Sequence, residues 1–172
     1  TEGLVIGAKT AVALRCMNEK IRLGEVTKRY LCITAGLPPK QKDTVNAFHR
    51  RLAGQKAEIS AVQHAGFRPI RTGYEILAAK DRLALVRVTL YTGRTHQIRA
   101  QMAALGCPVL GDAKYGNLAE NRKRHAPHQM LAACDLTLDF SETPCVLSDL
   151  RGLHLQYMPE FCAAYGFHPE NE

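Results

Sequence analysis

The sequence predicts an α+β protein built on a mixed, largely antiparallel sheet with flanking helices. Two observations carry this prediction: segments with a strand pattern outnumber those with a helical pattern, and two of the strand segments are close enough in sequence to form a hairpin. The chain has 172 residues, of which 46% are hydrophobic. This length and composition suit a single domain, residues 1–172, with a substantial core.

The first half of the chain alternates between clear patterns and one ambiguous stretch. Apolar residues at helical spacing predict a helix from Thr10 to about Leu23, and Gly24 follows it. An alternating, β-prone run predicts a strand over Val26–Ala35, which ends at the Gly-Leu-Pro-Pro turn 36–39. Residues 40–68 are polar and mixed, and they are compatible with either a long loop or a pair of edge strands.

The second half predicts a hairpin, a helix and a final strand. Strands are expected over Arg71–Ala78 and Arg82–Thr92, with residues 79–81 as their turn. The remaining elements are a helix at 96–105, a tight loop at Gly111–Gly116, a basic irregular segment at 117–128, a strand at Met130–Phe140 and a short helix at Pro159–Tyr165.

Charge is distributed unevenly along the chain. The net charge is +7, but residues 1–140 carry 22 Lys and Arg against 11 Asp and Glu, whereas residues 141–172 carry one against five. A basic body of this kind favours a polyanionic partner, and nucleic acid is the usual one. The alternative is a basic protein without such a partner, and charge alone does not separate the two.

Cysteine and histidine usage gives no indication of a disulfide framework or a metal site. The six cysteines form no CxxC pair and lie mostly within apolar patterns, which predicts free thiols in a cytoplasmic protein. His125 and His128 have no acidic or thiol partner at matching spacing, so no metal is expected. The sequence also lacks a charge-free apolar run of membrane-spanning length, so no membrane association is expected.

The most informative segment is Thr92–Arg99, which places two arginines, a histidine and a glutamine within eight residues. It lies where the second hairpin strand ends and a helix begins, with Thr95 placed to cap that helix. Gly106 and Pro108 are expected to end the helix. Free backbone N–H groups and the positive end of the helix favour anions at such a turn.

The residues around this segment identify a resemblance. The sequence resembles the RluA/RluD-type RNA pseudouridine synthases in a specific block that starts with TGRTHQIR at Thr92–Arg99 and continues through Gly106, Pro108, Leu110–Asp112, Tyr115 and Gly116. Shorter segments also match the family in order and spacing, although each alone is weak evidence for the resemblance. They are Thr1–Leu4 with Ala8, Lys9 and Ala11; Lys28–Leu31; Thr72–Leu77; and Gln129–Ala133. The resemblance thus covers nearly the whole chain and implies a pseudouridine synthase-like fold with a basic RNA-binding cleft.

The resemblance implies isomerisation of uridine to pseudouridine in RNA, without a metal or an organic cofactor. It assigns catalytic roles to Arg99, as the group that orients an ionised carboxylate, and to Tyr30, as the aromatic that packs against the flipped uracil and relays a proton. Arg94 and His96 become candidates for phosphate or ribose contact. Thr95 and Gln97 either join them in binding RNA or cap and brace the turn, and Asp112 is expected to fix the following loop by hydrogen bonds.

Three positions depart from the family pattern. The family's nucleophilic aspartate lies in an HRLD motif three residues before the position that matches Thr1, so we expect the chain to lack it and to be inactive alone. Ala132 and Gln101 stand where histidine is common. The expected partner is structured RNA, rRNA more than tRNA, bound by a cytoplasmic monomer. The alternative is a non-catalytic RNA-binding module of the same fold.

Overall fold

A computed structural model describes residues 1–142 and 144–168, in which a single eight-stranded sheet organises the chain. Four helices and a short 3-10 turn at 148–150 accompany it. The strands are β1 Glu2–Gly3, β2 Val26–Ala35, β3 Lys42–Arg50, β4 Glu58–Ser60, β5 Arg68–Lys80, β6 Leu83–Leu90, β7 Leu131–Leu138 and β8 His154–Gln156; the helices are α1 Ala11–Arg22, α2 Gln97–Ala104, α3 Leu118–Lys123 and α4 Glu160–Ala164.

The sheet runs in the order β1-β7-β2-β6-β5-β3-β4, and β8 also pairs with β7. β1 lies parallel to β7, whereas the other pairings between these strands are antiparallel. The predicted α+β class with a mixed, largely antiparallel sheet is therefore confirmed. For residues 40–68 the edge-strand alternative is correct, since β3 and β4 form one edge of the sheet.

Apolar side chains alternate between the two faces of the sheet and pack under different helices. On the α2 face, Cys32, Val86 and Val88 contact Ile98 and Met102 of helix α2. On the α4 face, Ile33 and Leu85 pack against Phe161 of helix α4. α1 covers the remaining end of the α2 face through a cluster of Met17, Val26, Leu136, Leu138 and Phe140. Both faces of the central strands are thus buried, which explains their high apolar content.

Most predicted elements are present, but the hairpin turn is displaced. Lys80 pairs with Leu83, so the two-residue turn is Asp81–Arg82, and both residues have positive φ angles of 52° and 63°. The prediction of residues 79–81 as the turn was wrong because a bulge near Leu77 lets β5 continue through Ala79 and Lys80. Positive φ at both central positions is the type I′ geometry that matches strand twist.

Two details near the motif also differ from prediction. Thr95 does not cap α2; the N-cap is His96, at φ 61°, and it makes no side-chain capping bond. The segment 117–128 is not wholly irregular, because Leu118–Lys123 forms α3 with Asn117 accepting hydrogen bonds from Ala119 and Glu120. Within the described residues no helix is both long and apolar enough to cross a membrane.

Candidate active site

The motif turn is held by the buried amide of Gln97. Its Oε1 accepts hydrogen bonds from the Thr92 hydroxyl and the Arg94 backbone N–H, both at 3.0 Å. Its Nε2 donates to Thr72 Oγ1 at 3.0 Å and to the Arg71 carbonyl. With 2% of its surface exposed, Gln97 braces the turn from within. The geometry supports this bracing role, whereas Thr95 is exposed and does not cap.

Arg99 forms a bidentate ion pair with Asp112. Its Nε and Nη2 donate to the two carboxylate oxygens at 2.7 and 2.8 Å. Asp112 is fully buried and also accepts the backbone N–H groups of Lys114 and Tyr115. The expected loop-fixing role of Asp112 is confirmed, and the same carboxylate orients Arg99. The Arg99 Nη1 makes no hydrogen bond to another described residue, and 15% of the side chain is exposed.

Burial and charge act in opposite directions on this pair. Burial raises the pKa of Asp112, but the hydrogen bonds from Arg99, Tyr115 and Lys114 outweigh it and leave the pKa below its ordinary value. The hydrogen bonds that Arg99 donates to Asp112 raise the pKa of Arg99 despite burial. Both groups therefore stay ionised at neutral pH, and Arg99 presents a fixed positive charge at the start of α2.

His96 and Tyr115 connect the turn to the β3–β4 hairpin. His96 Nδ1 lies 3.1 Å from the Tyr115 hydroxyl, which accepts the Ala57 backbone N–H at 2.7 Å. The Tyr115 ring faces the Arg99 guanidinium at 5.3 Å. His49 of β3 reaches the Thr95 carbonyl at 3.1 Å. The hairpin is thereby fixed against the motif, an arrangement that the sequence spacing did not reveal.

Positive charge gathers around His96. Burial lowers its pKa, and the cations Arg99, Arg51 and Lys114 lower it further, with Asp112 opposing them. The imidazole is therefore neutral near pH 7. Arg94, two residues before His96 in the sequence, is exposed. We refer to Arg51, Arg94, His96 and Lys114 as the basic cluster. It includes Arg94 and His96, the two residues that the sequence predicts to contact phosphate or ribose.

Tyr30 lies apart from that cluster, in a cavity of about 370 Å³ on the α2 face. The half-buried ring packs against the same apolar cluster as Ile98, the neighbour of Arg99. Lys28, two residues earlier on the same face, lines the cavity together with Leu136, Ile21 of α1 and residues from the N-terminal segment 1–6. Burial raises the pKa of the Tyr30 phenol, so it stays protonated at neutral pH.

Thr1 lines the Tyr30 cavity and also contacts the segment before β7. The Thr1 hydroxyl oxygen accepts a hydrogen bond from Gln129 Nε2 at 3.0 Å. The His128–Gln129 peptide in turn packs against Gly111, whose left-handed backbone leads directly into Asp112. Contacts through Gln129 and Gly111 therefore join Thr1 to the loop that orients Arg99.

A larger groove of about 880 Å³ lies on the α4 face and is not part of this site. Its cations are matched by carboxylates: Arg87 and Lys42 pair with Glu75, and Arg29 pairs with Asp135. No residue of the Thr92–Arg99 motif lines it. Its mixed charge does not favour a polyanion. The described residues also contain no group of three or more His, Cys, Asp or Glu side chains suited to a metal ion.

Comparison with known proteins shows which proteins the chain is similar to. Residues 1–104 match the family model described as RNA pseudouridylate synthase. An uncharacterized RNA pseudouridine synthase of Mycoplasma pneumoniae is 34% identical over 171 residues, covering 95% of this chain and 52% of that protein. The ribosomal large subunit pseudouridine synthase C of Rickettsia conorii is 33% identical over 118 residues, covering 68% of this chain and 39% of the relative.

A solved structure extends the likeness to three dimensions. The human RNA pseudouridylate synthase domain containing 1 superimposes with a TM-score of 0.67 at 27% identity, covering 89% of this chain and 61% of the human one. The chain spans about half or less of the length of the curated relatives described above. The matched model covers more than half of the chain, and the fold and motif agree with it. The chain therefore belongs to the RNA pseudouridylate synthase family.

Proposed function

We propose that the protein to which this chain belongs isomerises uridine to pseudouridine in structured RNA. The observation that carries the proposal is Arg99, which is held on two nitrogens by Asp112 while its Nη1 stays available to a second acceptor. A guanidinium fixed in this way keeps a neighbouring carboxylate ionised and oriented, which the reaction requires of its nucleophile.

We further propose that the nucleophilic carboxylate comes from a segment preceding Thr1. β1 runs parallel to β7 with Glu2 opposite Ala132, so the chain ahead of Thr1 is directed toward Gln129 and the Gly111–Asp112 turn. Three residues in extended form reach at most about 10 Å. An aspartate three residues before Thr1 would thus approach the side of the molecule where Arg99 lies.

The remaining residues take supporting roles in this proposal. The uracil stacks on Tyr30, whose phenol oxygen accepts the proton that leaves the ring carbon while the phenol's own proton passes to solvent. Arg94, Thr95 and His96 contact the RNA backbone at the start of α2, with Arg51 and Lys114 beside them. Gln97 acts indirectly, because it holds the turn that presents these groups. No metal or organic cofactor is required for this chemistry.

The proposal is tested with the chain joined to its preceding segment and with RNA whose uridines carry tritium on the ring carbon that becomes bonded to ribose. We expect tritium release by this protein and none by residues 1–172 alone.

Arg99→Lys removes the forked geometry but keeps the charge, and we expect kcat to fall by about 100-fold or more. Arg22→Lys, at an exposed position that pairs with Glu19, is the matched control. Absence of pseudouridine in every cellular RNA exposed to the longer protein would overturn the proposal.

The alternative is a non-catalytic RNA-binding module, which the same fold and basic cluster would serve. It predicts RNA binding without conversion, and it is favoured if no aspartate in an HRLD context precedes Thr1. For the catalytic proposal we further expect rRNA rather than tRNA as the substrate, a monomeric protein and a cytoplasmic location. The name of the Rickettsia relative supports the ribosomal substrate.

A further inference from the structure

Asn121, on helix α3, is a buried polar residue outside the site described above. Only 7% of its surface is exposed. Its Oδ1 accepts a hydrogen bond from the Gly111 backbone N–H at 2.9 Å, and its Nδ2 donates one to the Asp112 carbonyl at 3.2 Å. One donor and one acceptor partner fix which end of the amide faces which group. The side chain therefore holds both ends of the Gly111–Asp112 dipeptide.

The surroundings of this dipeptide make those two bonds important. Gly111 has a left-handed backbone, and a Cβ on it would overlap the His128 carbonyl. The loop also borders a cavity of about 450 Å³ that is lined by Gly111, Ala113 and Asn121. Where the loop meets this cavity, the Asn121 amide supplies hydrogen bonds in place of packing.

We propose that Asn121 is a positioning residue for Arg99 that acts through Asp112. It fixes the backbone from which the Asp112 carboxylate projects, and that carboxylate accepts the Arg99 Nε and Nη2 groups at 2.7 and 2.8 Å. Among the described residues, the Asn121 side chain hydrogen-bonds only to Gly111 and Asp112, so its effect on Arg99 is indirect. The consequence for catalytic rate rests on the proposed function, whereas the effect on the ion pair does not.

The rest of the loop has hydrogen bonds that do not involve Asn121. The Asp112 carbonyl also accepts the Gly116 N–H at 2.9 Å, and the Asp112 carboxylate accepts two further backbone N–H groups. These bonds close the loop after Asp112, whereas the partner of the Gly111 N–H is Asn121. Loss of the amide should therefore loosen the start of the loop and leave its remainder formed.

The first test measures hydrogen exchange at the Arg99 Nε–H of this chain by NMR. Its bond to the buried Asp112 carboxylate protects that proton, and the Ile33 backbone N–H, bonded to the Met130 carbonyl, is the internal reference. For Asn121→Leu we expect Arg99 exchange to accelerate about tenfold more than Ile33 exchange, the effect of one lost hydrogen bond. Equal acceleration of both protons is the result of a merely structural role and would overturn the proposal.

Asn117→Ala is the matched control on the same helix. It removes the capping bonds to Ala119 and Glu120 but keeps the Asn121 side chain, so the ratio of the two exchange rates should change by less than about twofold. Asn121→Ser offers one hydroxyl in place of two amide groups, and it should raise the ratio even if leucine prevents folding. An equal rise in Asn117→Ala would contradict a specific role of the Asn121 amide.

The second test uses the longer protein and the tritium-release assay. We expect Asn121→Leu to lower kcat by about 10- to 100-fold because the guanidinium that orients the nucleophile is displaced. The KM for RNA should change by less than about twofold, since the basic cluster is unaltered. A higher KM with unchanged kcat would refute the positioning role. An inactive unsubstituted protein would instead overturn the proposed function, and the exchange measurement alone would then decide the role of Asn121.

Discussion

At the scale of single residues, the site depends on polar groups that are buried but fully engaged. Asp112 accepts four hydrogen bonds, two from Arg99 and two from backbone N–H groups. A buried carboxylate is tolerated only when it is paired and hydrogen-bonded in this way. The main effect of this ion pair is therefore to fix the direction of the Arg99 guanidinium. The proposed chemistry depends on that fixed direction.

Two buried glutamines of α2 allow a matched test of the bracing role. Gln97→Leu leaves the Arg94 N–H and its neighbours without their partner, so we expect the free energy of unfolding to fall by about 2–4 kcal/mol. Gln101 is equally buried, but its Oε1 has no hydrogen-bond partner among the described residues. Gln101→Leu should therefore change stability by less than about 1 kcal/mol, or increase it. Urea unfolding of both variants measures this difference. Equal decreases in the free energy of unfolding would contradict the bracing role of Gln97.

Sequence patterns located residues of the candidate site better than they assigned the contacts. Arg99 and Tyr30 were singled out by the family resemblance. In the structure Tyr30 packs against the apolar cluster that contains Ile98, the residue before Arg99. The ion pair between Arg99 and Asp112 was not predicted, because spacing along a chain does not show which charges meet across a loop. Gln97 likewise bonds to Thr72 and Arg71, which are supplied by β5 and its register.

At the scale of elements, the site is assembled from a turn, a hairpin and a loop that depend on one another. The β3–β4 hairpin reaches the motif through His49 and Tyr115, and the Gly111 loop packs against the peptide before β7. These segments contribute little regular structure of their own. Their positions follow from a small number of close backbone contacts, so a change at one such contact should be transmitted to the site.

Gly111→Ala should destabilise the protein far more than Gly24→Ala. Both glycines have φ near +78°, which costs an alanine about 1–2 kcal/mol. A Cβ on Gly111 would overlap the His128 carbonyl, whereas a Cβ on Gly24 meets no atom within 4 Å. We expect the free energy of unfolding to fall by about 3 kcal/mol or more for Gly111→Ala and by about 1 kcal/mol for Gly24→Ala.

Thermal unfolding provides the measurement, because each kcal/mol lowers the Tm of a domain this size by about 2–4 °C. Similar Tm values for the two variants would show that the Gly111 loop adjusts freely. That result would also contradict its role in linking Gln129 to Asp112.

Elements with strong local signals were predicted well, and elements fixed by distant partners were not. α1 begins after Thr10, whose hydroxyl accepts the Ala13 N–H, and it ends before Gly24, as the sequence indicated. β2 occupies the predicted residues. The hairpin turn was misplaced because a bulge in β5 shifts the register with β6. α3 was missed because a six-residue helix gives little periodicity.

At the scale of the whole molecule, charge separates the chain into a basic body and an acidic C-terminal part. Residues 1–140 carry a net charge of +11 and residues 141–172 carry −4. The large groove on the α4 face is neutralised by ion pairs, whereas the basic cluster around His96 lies beside the motif. This asymmetry supports the proposed RNA path along the motif side of the molecule, and it predicts that RNA binding depends on ionic strength.

We expect the affinity of the chain for a uridine-containing stem–loop RNA to fall steeply as salt rises. One phosphate contact from each of the three cations of the basic cluster, Arg51, Arg94 and Lys114, gives a slope of log K against log salt near −2, or roughly a twenty-fold loss between 50 and 200 mM salt. The double variant Arg51→Ala, Lys114→Ala removes two of the proposed contacts and should reduce the slope by about 1.4. Arg22→Ala, an exposed residue of α1, should leave the slope unchanged. Fluorescence titrations over this salt range give the slopes directly, and salt-insensitive binding would rule out the polyanionic partner that the charge distribution favours.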